Sequence, residues 1–118
     1  MTDMRYYVMV FLRTGPTQPA DPEEKKKLQL GHFGNMERLH KEGKLILAGP
    51  FKNGGDLEGI FLFDTESLEE AQAWCDRDPA IACGNLRAEL VKWYSAKGIG
   101  IYPDAGAGAG AEAPGKPN

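Results

Sequence analysis

Cysteine is scarce in this chain of 118 residues, and the two that occur, Cys75 and Cys83, form no metal-binding pattern. They make no C-x-x-C pair, and together with His32 and His40 they match no zinc-ligand spacing. A reduced pair of thiols is typical of a cytosolic protein. The sequence therefore predicts two free thiols, no metal site and no cofactor.

Positive charge in excess and long apolar runs are also missing. Lys and Arg number 14 against 17 Asp and Glu, a net charge of -3, which predicts no nucleic-acid partner. No apolar run approaches the roughly 18 residues of a membrane span. The apolar residues 6–12 lack the basic start and cleavage site of a signal peptide. We therefore expect a cytoplasmic protein with no membrane partner.

Four stretches have the alternation and the β-branched or aromatic content of strands. They are residues 5–13, 44–48, 57–64 and 86–94. The turn residues 53–56, Asn-Gly-Gly-Asp, join the second and third stretches, which should form a hairpin.

Two segments of helical periodicity lie between these strands, each opened by a capping residue. Asp21 and Ser67 are both followed three residues later by glutamate, which is the capping-box pattern. The first helix should end at Gly43, and the second at Asp78-Pro79 with one further helical turn after it. The order β-α-β-β-α-β predicts an α+β, ferredoxin-like fold: one antiparallel sheet with both helices on one face.

The first strand is apolar on both faces, which bears on assembly. The sheet face away from the helices would be a large apolar surface, and such patches usually mark an interface. We therefore expect a homodimer with the sheets packed face to face, a dimeric α+β barrel. The folded domain should span residues 4–96. The Gly-, Ala- and Pro-rich tail, residues 97–118, has little to bury and should be disordered.

Two side chains are candidates for chemistry. His32 lies on the apolar face of the first helix, as either a buried structural histidine or a general acid or base. Asp78 ends the second helix, against the preference of the helix dipole, as either a turn residue before proline or a functional carboxylate. Because the helices should run antiparallel, we expect a His–Asp dyad in which the carboxylate fixes the imidazole tautomer.

Other residues have plainer interpretations. His40 should be structural or face solvent, and Cys83 should pack as a small apolar residue. Gly31 and Gly34 lie inside the first helix, where each costs roughly 1 kcal/mol relative to alanine. The close approach of another element or of a ligand would explain them.

Two stretches resemble the YciI-like, or YCII-related, family. Residues 32–50 (HFGNMERLHKEGKLILAGP) are similar to its HL…L…GxLxxAGP core, and residues 66–74 (ESLEEAQAW), with Asp78-Pro79 and Gly84, to its ESLEEAxAW…DP…G segment. With the first and last strands, the resemblance covers nearly all of residues 5–94. It implies a dimeric α+β barrel with a His–Asp active site at His32 and Asp78. The family includes a dehydrochlorinase of a chlorinated hydroxyhydroquinone.

The chain departs from the family pattern beside the histidine. Residues 29–31, Gln-Leu-Gly, lack an arginine that many relatives carry, and Phe33 replaces a leucine, which bears on the substrate because arginine binds anions. The leading hypothesis is a small-molecule enzyme, lyase- or dehydrochlorinase-like, that transfers a proton through His32 and Asp78. The alternatives are a non-catalytic small-molecule binding or regulatory module and a cofactor-free monooxygenase.

Overall fold

The structure, a computed structural model, describes residues 3–99, which form four strands and three helices. They are β1 (Met4–Thr14), α1 (Pro22–Lys41), β2 (Leu45–Pro50), β3 (Leu57–Phe63), α2 (Leu68–Asp76), α3 (Pro79–Ala82) and β4 (Leu86–Ala96). The predicted α+β, ferredoxin-like order is confirmed, and α3 is the further turn expected after Asp78-Pro79. Disorder was predicted for the tail, and residues 100–118 of this tail lie outside the described residues.

The strands form one antiparallel sheet in the order β2-β3-β1-β4. β1 lies inside the sheet, where Val10 is opposite Phe61 on one side and Leu90 on the other. β2 and β3 form the predicted hairpin. One apolar face of β1, with Val8, Val10 and Leu12, is buried in the core beneath the helices.

Both long helices pack on the same face of the sheet. The core between the two layers consists of side chains from β1, β2, β3, α1 and α2: Val8, Val10, Leu12, Leu39, Leu45, Phe61, Phe63, Ala71 and Cys75. Full burial of each large apolar side chain contributes about 1.5–3 kcal/mol. Within residues 3–99, no helix has the length and apolar character to cross a membrane.

The opposite face of the sheet is apolar as well. Tyr7 pairs with Trp93, and Met9 pairs with Val91 and Leu62, so these side chains point away from the helices. Val91 keeps 44% and Trp93 38% of its surface exposed.

Local signals set the ends of α1. The side chain of Asp21 accepts a hydrogen bond from the N–H of Glu23 at 3.1 Å. At the other end, Gly43 has φ +76°, the Lys44 N–H donates to the Leu39 carbonyl at 2.9 Å, and the Gly43 N–H donates to the His40 carbonyl at 3.0 Å. This is a Schellman motif, and it confirms the predicted end of the helix.

The start of α2 differs in one bond from the predicted capping box. The hydroxyl oxygen of Ser67 accepts from the Glu70 N–H at 3.0 Å, as predicted. The Glu70 carboxylate, however, accepts from the Thr65 hydroxyl at 2.5 Å, and the Thr65 oxygen accepts from the Ser67 N–H at 3.1 Å. The Thr65 hydroxyl group is thus hydrogen-bonded to both residues of the box, to the backbone N–H of Ser67 and to the carboxylate of Glu70.

Candidate active site

The structure brings His32 and Asp78 together. Nδ1 of His32 lies 2.6 Å from Oδ2 of Asp78, although the residues are 46 positions apart. The Asp78 side chain is fully buried, and that of His32 keeps 17% of its surface exposed. The expected proximity is therefore present, whereas a catalytic role for the pair stays a prediction.

Asp78 lies between α2 and α3 and starts α3. Helix α2 ends at Asp76, and Asp78 is the N-cap of α3, because its Oδ1 accepts from the Ala80 N–H at 2.9 Å. Asp78 does follow the C-terminus of α2, as expected, but the sequence interpretation missed that α3 begins there and that aspartate is favoured as its N-cap. One carboxylate oxygen holds α3, and the other holds His32.

The two bonds of Asp78 define the state of the imidazole. When Asp78 is ionised, its carboxylate can only accept hydrogen bonds, and Nδ1 of His32 then carries the proton and donates the hydrogen bond to Oδ2. The lone pair of a neutral His32 then lies on Nε2, which is the nitrogen not engaged by Asp78. The ring also stacks on Phe61, with centroids 5.8 Å apart and planes 26° apart. The tautomer and the plane of the ring are thus both constrained.

A cavity of about 420 Å³ opens beside His32. Its size lies within the roughly 300–1,000 Å³ of small-molecule sites. Leu28, Met36 and Phe61 contribute apolar wall, and Lys25 and Glu58 contribute charged groups. The arrangement can therefore hold a small, largely apolar compound against a histidine that accepts or donates a proton.

Several other residues line this cavity that the sequence analysis did not single out as site residues. Lys25 precedes His32 by seven residues, so helical spacing alone places both on one face and was the available signal. Glu58, Gln18 and Asn85 come from β3 and two loops. An Asn85 side-chain N–H donates to the Gln18 side-chain oxygen at 3.2 Å. No local sequence pattern predicts contacts of this kind between separate elements.

The two glycines of α1 have different surroundings. A Cβ added at Gly31 would lie 2.7 Å from Cγ of Pro79, whereas one at Gly34 would meet no described atom within 4 Å. The expected close approach of another element thus exists at Gly31 and is absent at Gly34.

His40 and the two cysteines do not line the cavity. His40 is exposed, with Nδ1 3.2 Å from the Leu45 carbonyl oxygen, as its structural interpretation predicts. Cys83 was expected to pack as an apolar residue, but it is exposed, because it follows α3 at the surface as its C-cap. Cys75 is buried in the core, and this burial, with smaller contributions from Asp78 and Asp76, raises the pKa of its thiol to about 12. Among residues 3–99, no three metal-ligating side chains converge.

The class of protein follows from the sheet, the helices on one of its faces, and the cavity between them: a ferredoxin-like α+β domain. The chain belongs to the YCII-related family, because the family model described as YCII-related domain matches residues 9–94.

The similar proteins agree with this assignment. Protein YciI of Escherichia coli O6:H1 is 36% identical over 82 residues, which cover 62% of this chain and 84% of that protein. Uncharacterized protein YjpA of Bacillus subtilis is 32% identical over 63 residues, 53% of this chain and 72% of that one.

A solved structure shares the fold. It is that of 5-chloro-2-hydroxyhydroquinone dehydrochlorinase from Burkholderia phenoliruptrix AC1100 in complex with 2,5-dihydroxybenzoquinone. The match has a TM-score of 0.53 at 19% identity and covers 73% of this chain and 92% of that chain. At this identity the likeness establishes the fold.

Proposed function

We propose that this chain is a small-molecule enzyme in which His32 moves a proton to or from a compound held in the cavity. The observation that carries the proposal is the 2.6 Å contact between His32 and the fully buried carboxylate of Asp78. A buried carboxylate is costly unless it is paired and hydrogen-bonded. Here the pairing also leaves the other nitrogen of a histidine that lines the cavity free to act as an acid or base.

The reaction type we propose is a lyase-like elimination. Nε2 of neutral His32 accepts a proton from an acidic C–H or O–H of the compound. The electron pair left behind forms the new double bond, and a leaving group such as chloride departs with its bonding pair. Asp78 stays ionised and stabilises the imidazolium. Dehydrochlorination is the activity of the structural neighbour, and the common fold and the cavity of this chain support carrying the reaction type over.

The cavity wall favours a small ring compound. Leu28, Met36 and Phe61 offer apolar surface, and Phe61 also fixes the plane of the His32 ring. Lys25 lies two helical turns before His32 and adds a positive charge. A ring compound with an ionised hydroxyl or carboxylate at the end away from its reacting atom would complement the apolar wall with its ring and Lys25 with its negative charge. Lys25 would then supply the positive charge, since residues 29–31 lack arginine.

We also propose the domain limits and the assembly. Residues 4–96 form the folded domain, which the ends of β1 and β4 and the family match over residues 9–94 support. Two copies pair through the sheet faces that carry Val91 and Trp93, because these apolar side chains are more than a third exposed in one chain. The proposed active form is a homodimer.

The test uses chlorinated hydroxyhydroquinones as substrates and 2,5-dihydroxybenzoquinone as a ligand. Chloride release and the quinone absorbance are followed for the unmodified protein and for His32→Gln. We expect His32→Gln to lower kcat by about 10²–10⁴-fold, the usual contribution of general acid–base catalysis. Binding of the quinone, measured by titration, should weaken much less, because the apolar wall is unchanged.

His40→Gln is the matched control, since it removes an exposed histidine from the same helix outside the cavity. It should leave turnover and binding unchanged. Unaltered turnover by a folded His32→Gln would contradict the proposal. Tight binding of the quinone without turnover of any compound by the unmodified protein would favour the binding-module alternative.

A further inference from the structure

We infer that Gly31 is a positioning residue: its lack of a side chain lets Pro79 approach α1 closely enough for Asp78 to reach His32. The consequence for turnover rests on the proposed function, whereas the effect on the contact between the two side chains does not. Gly31 immediately precedes His32, and Pro79 immediately follows Asp78, so the two pairs face each other across the α1–α3 interface.

The packing at this interface leaves no room for a methyl group on Gly31. An added Cβ would lie 2.7 Å from Cγ, 3.3 Å from Cβ and 3.5 Å from Cδ of Pro79. The first distance is shorter than real carbon contacts. A long side chain could swing aside, but the proline ring is locked to its own backbone. A change of ring pucker would move Cγ but not Cβ, which would stay 3.3 Å from the added methyl group, so we expect relief of the overlap to require a shift of Pro79, and with it of Asp78, relative to α1.

Backbone conformation does not account for a glycine here. Positive φ occurs at Gly43, Gly55, Gly84 and Gly98, whereas Gly31 lies inside a regular helix. Glycine is disfavoured in the interior of a helix, since it gains no side-chain contacts and loses the most backbone freedom. Steric fit to Pro79 is the property of Gly31 that alanine would not share.

Helix α3 is held at both ends, so a new side chain cannot displace it as a unit. Before it, the Asp78 N–H donates to the Cys75 carbonyl at 2.9 Å. After it, the Gly84 carbonyl accepts from the Thr17 N–H at 3.0 Å, and the Asn85 carbonyl accepts from the Gly15 N–H at 2.9 Å. These bonds oppose a movement of α3 as a unit, so we expect the displacement to be local, at Pro79 and the side chain of Asp78, where it lengthens the 2.6 Å contact with His32.

The test compares Gly31→Ala with the matched control Gly34→Ala in the full chain. The first readout is nuclear magnetic resonance of the His32 ring: the Nδ1–H proton signal and the two ring ¹⁵N shifts, which report the hydrogen bond to Asp78 without any substrate. The second is kcat against KM in the chloride-release assay. We expect Gly31→Ala to lose the slowly exchanging Nδ1–H signal and at least tenfold in kcat, with a smaller change in KM. Gly34→Ala should keep both.

The double variant Gly31→Ala/Pro79→Ala supplies the rescue, because it removes Cγ, the atom nearest to the added methyl group. It should recover the Nδ1–H signal, and it should recover folding if Gly31→Ala alone does not fold. A Gly31→Ala protein with an unchanged His32 spectrum overturns the inference, and so does a double variant without recovery.

The two readouts separate this inference from the proposed function. If the unmodified protein turns over no compound, the proposed function is contradicted, and loss of the Nδ1–H signal in Gly31→Ala still supports the positioning role. An unchanged signal and unchanged kcat in Gly31→Ala, alongside an inactive His32→Gln, overturn the positioning role and support the function.

Discussion

At the scale of single residues, Asp78 combines two structural tasks in one carboxylate. Oδ1 accepts from the Ala80 N–H and starts α3, while Oδ2 accepts from Nδ1 of His32. Because each oxygen has its own partner, a substitution can remove one interaction and keep the other. The same division makes the chemical state of His32 depend on a residue that also holds the local fold.

The variant Asp78→Asn separates these tasks. Its amide oxygen can still cap α3, but its NH₂ group can only donate to Nδ1 and so moves the ring proton to Nε2. We expect the fold to persist and kcat to fall by about 10²-fold or more, because the base then has no lone pair facing the compound. The ¹⁵N shifts of the His32 ring measure the tautomer. A ring still protonated on Nδ1 would contradict this expectation.

Asp78→Ala should act on stability as well. It leaves the Ala80 N–H without its cap acceptor and Nδ1 of His32 without its partner. Loss of a cap costs about 1 kcal/mol, and a buried donor left unsatisfied costs about 1–3 kcal/mol more. The midpoint of urea unfolding should therefore fall well below that of Asp78→Asn. Equal midpoints for the two variants would show that Oδ1 contributes nothing.

The two thiols should differ sharply in reactivity. Cys75 is completely buried, and burial raises its pKa to about 12, so almost no reactive thiolate exists near neutral pH. Cys83 is exposed. Iodoacetamide at pH 8 should label Cys83 in the native protein and Cys75 only after unfolding, as mass spectrometry of the peptides would measure. Equal labelling rates in the native protein would contradict the burial of Cys75.

At the scale of elements, α1 carries a glycine that nothing in its described surroundings requires. Gly34 has open space where a Cβ would stand. Gly34→Ala should therefore raise the free energy of unfolding by up to about 1 kcal/mol, the difference in helix propensity. Chemical denaturation measures this gain. A loss of stability would mean that an unrecognised contact occupies the space beside Gly34.

The sequence predicted elements better than contacts. The caps Asp21 and Ser67 and the end at Gly43 are local patterns, and each stands where the pattern placed it. The proximity of His32 and Asp78 followed from topology, because antiparallel elements on one sheet face fix which ends meet. The cap role of Asp78 went unrecognised, although an aspartate before a proline at the first helical position is itself a local signal.

Other parts of the site had no local signal. The position of Glu58 near the cavity depends on how β3 pairs, and the position of Asn85 depends on the loop before β4. The reason for Gly31 lies 48 residues away at Pro79. Such features arise from packing between elements, which periodicity and propensity do not encode.

At the scale of the whole molecule, one face of the sheet is covered by helices, and the other face carries apolar side chains. On this second face Leu47, Val91 and Trp93 are 42%, 44% and 38% exposed, whereas Tyr7 and Leu62 are buried within the single chain. Burying such a surface against a second copy would stabilise the dimer by about 25 cal/mol for each Å² of apolar area removed from water. A two-fold axis lets one face serve as its own partner.

A charge on this face should therefore divide the proposed homodimer. In Val91→Glu the carboxylate would be buried against the partner sheet, where an unpaired charge is strongly unfavourable. Leu30→Glu is the matched control, because Leu30 is 65% exposed on α1, on the helix side of the sheet. Sedimentation should give twice the 12.9 kDa chain mass for the unmodified protein and for Leu30→Glu, and a single chain for Val91→Glu. A monomeric unmodified protein at micromolar concentration, or a dimeric Val91→Glu, would show that this face is not the interface.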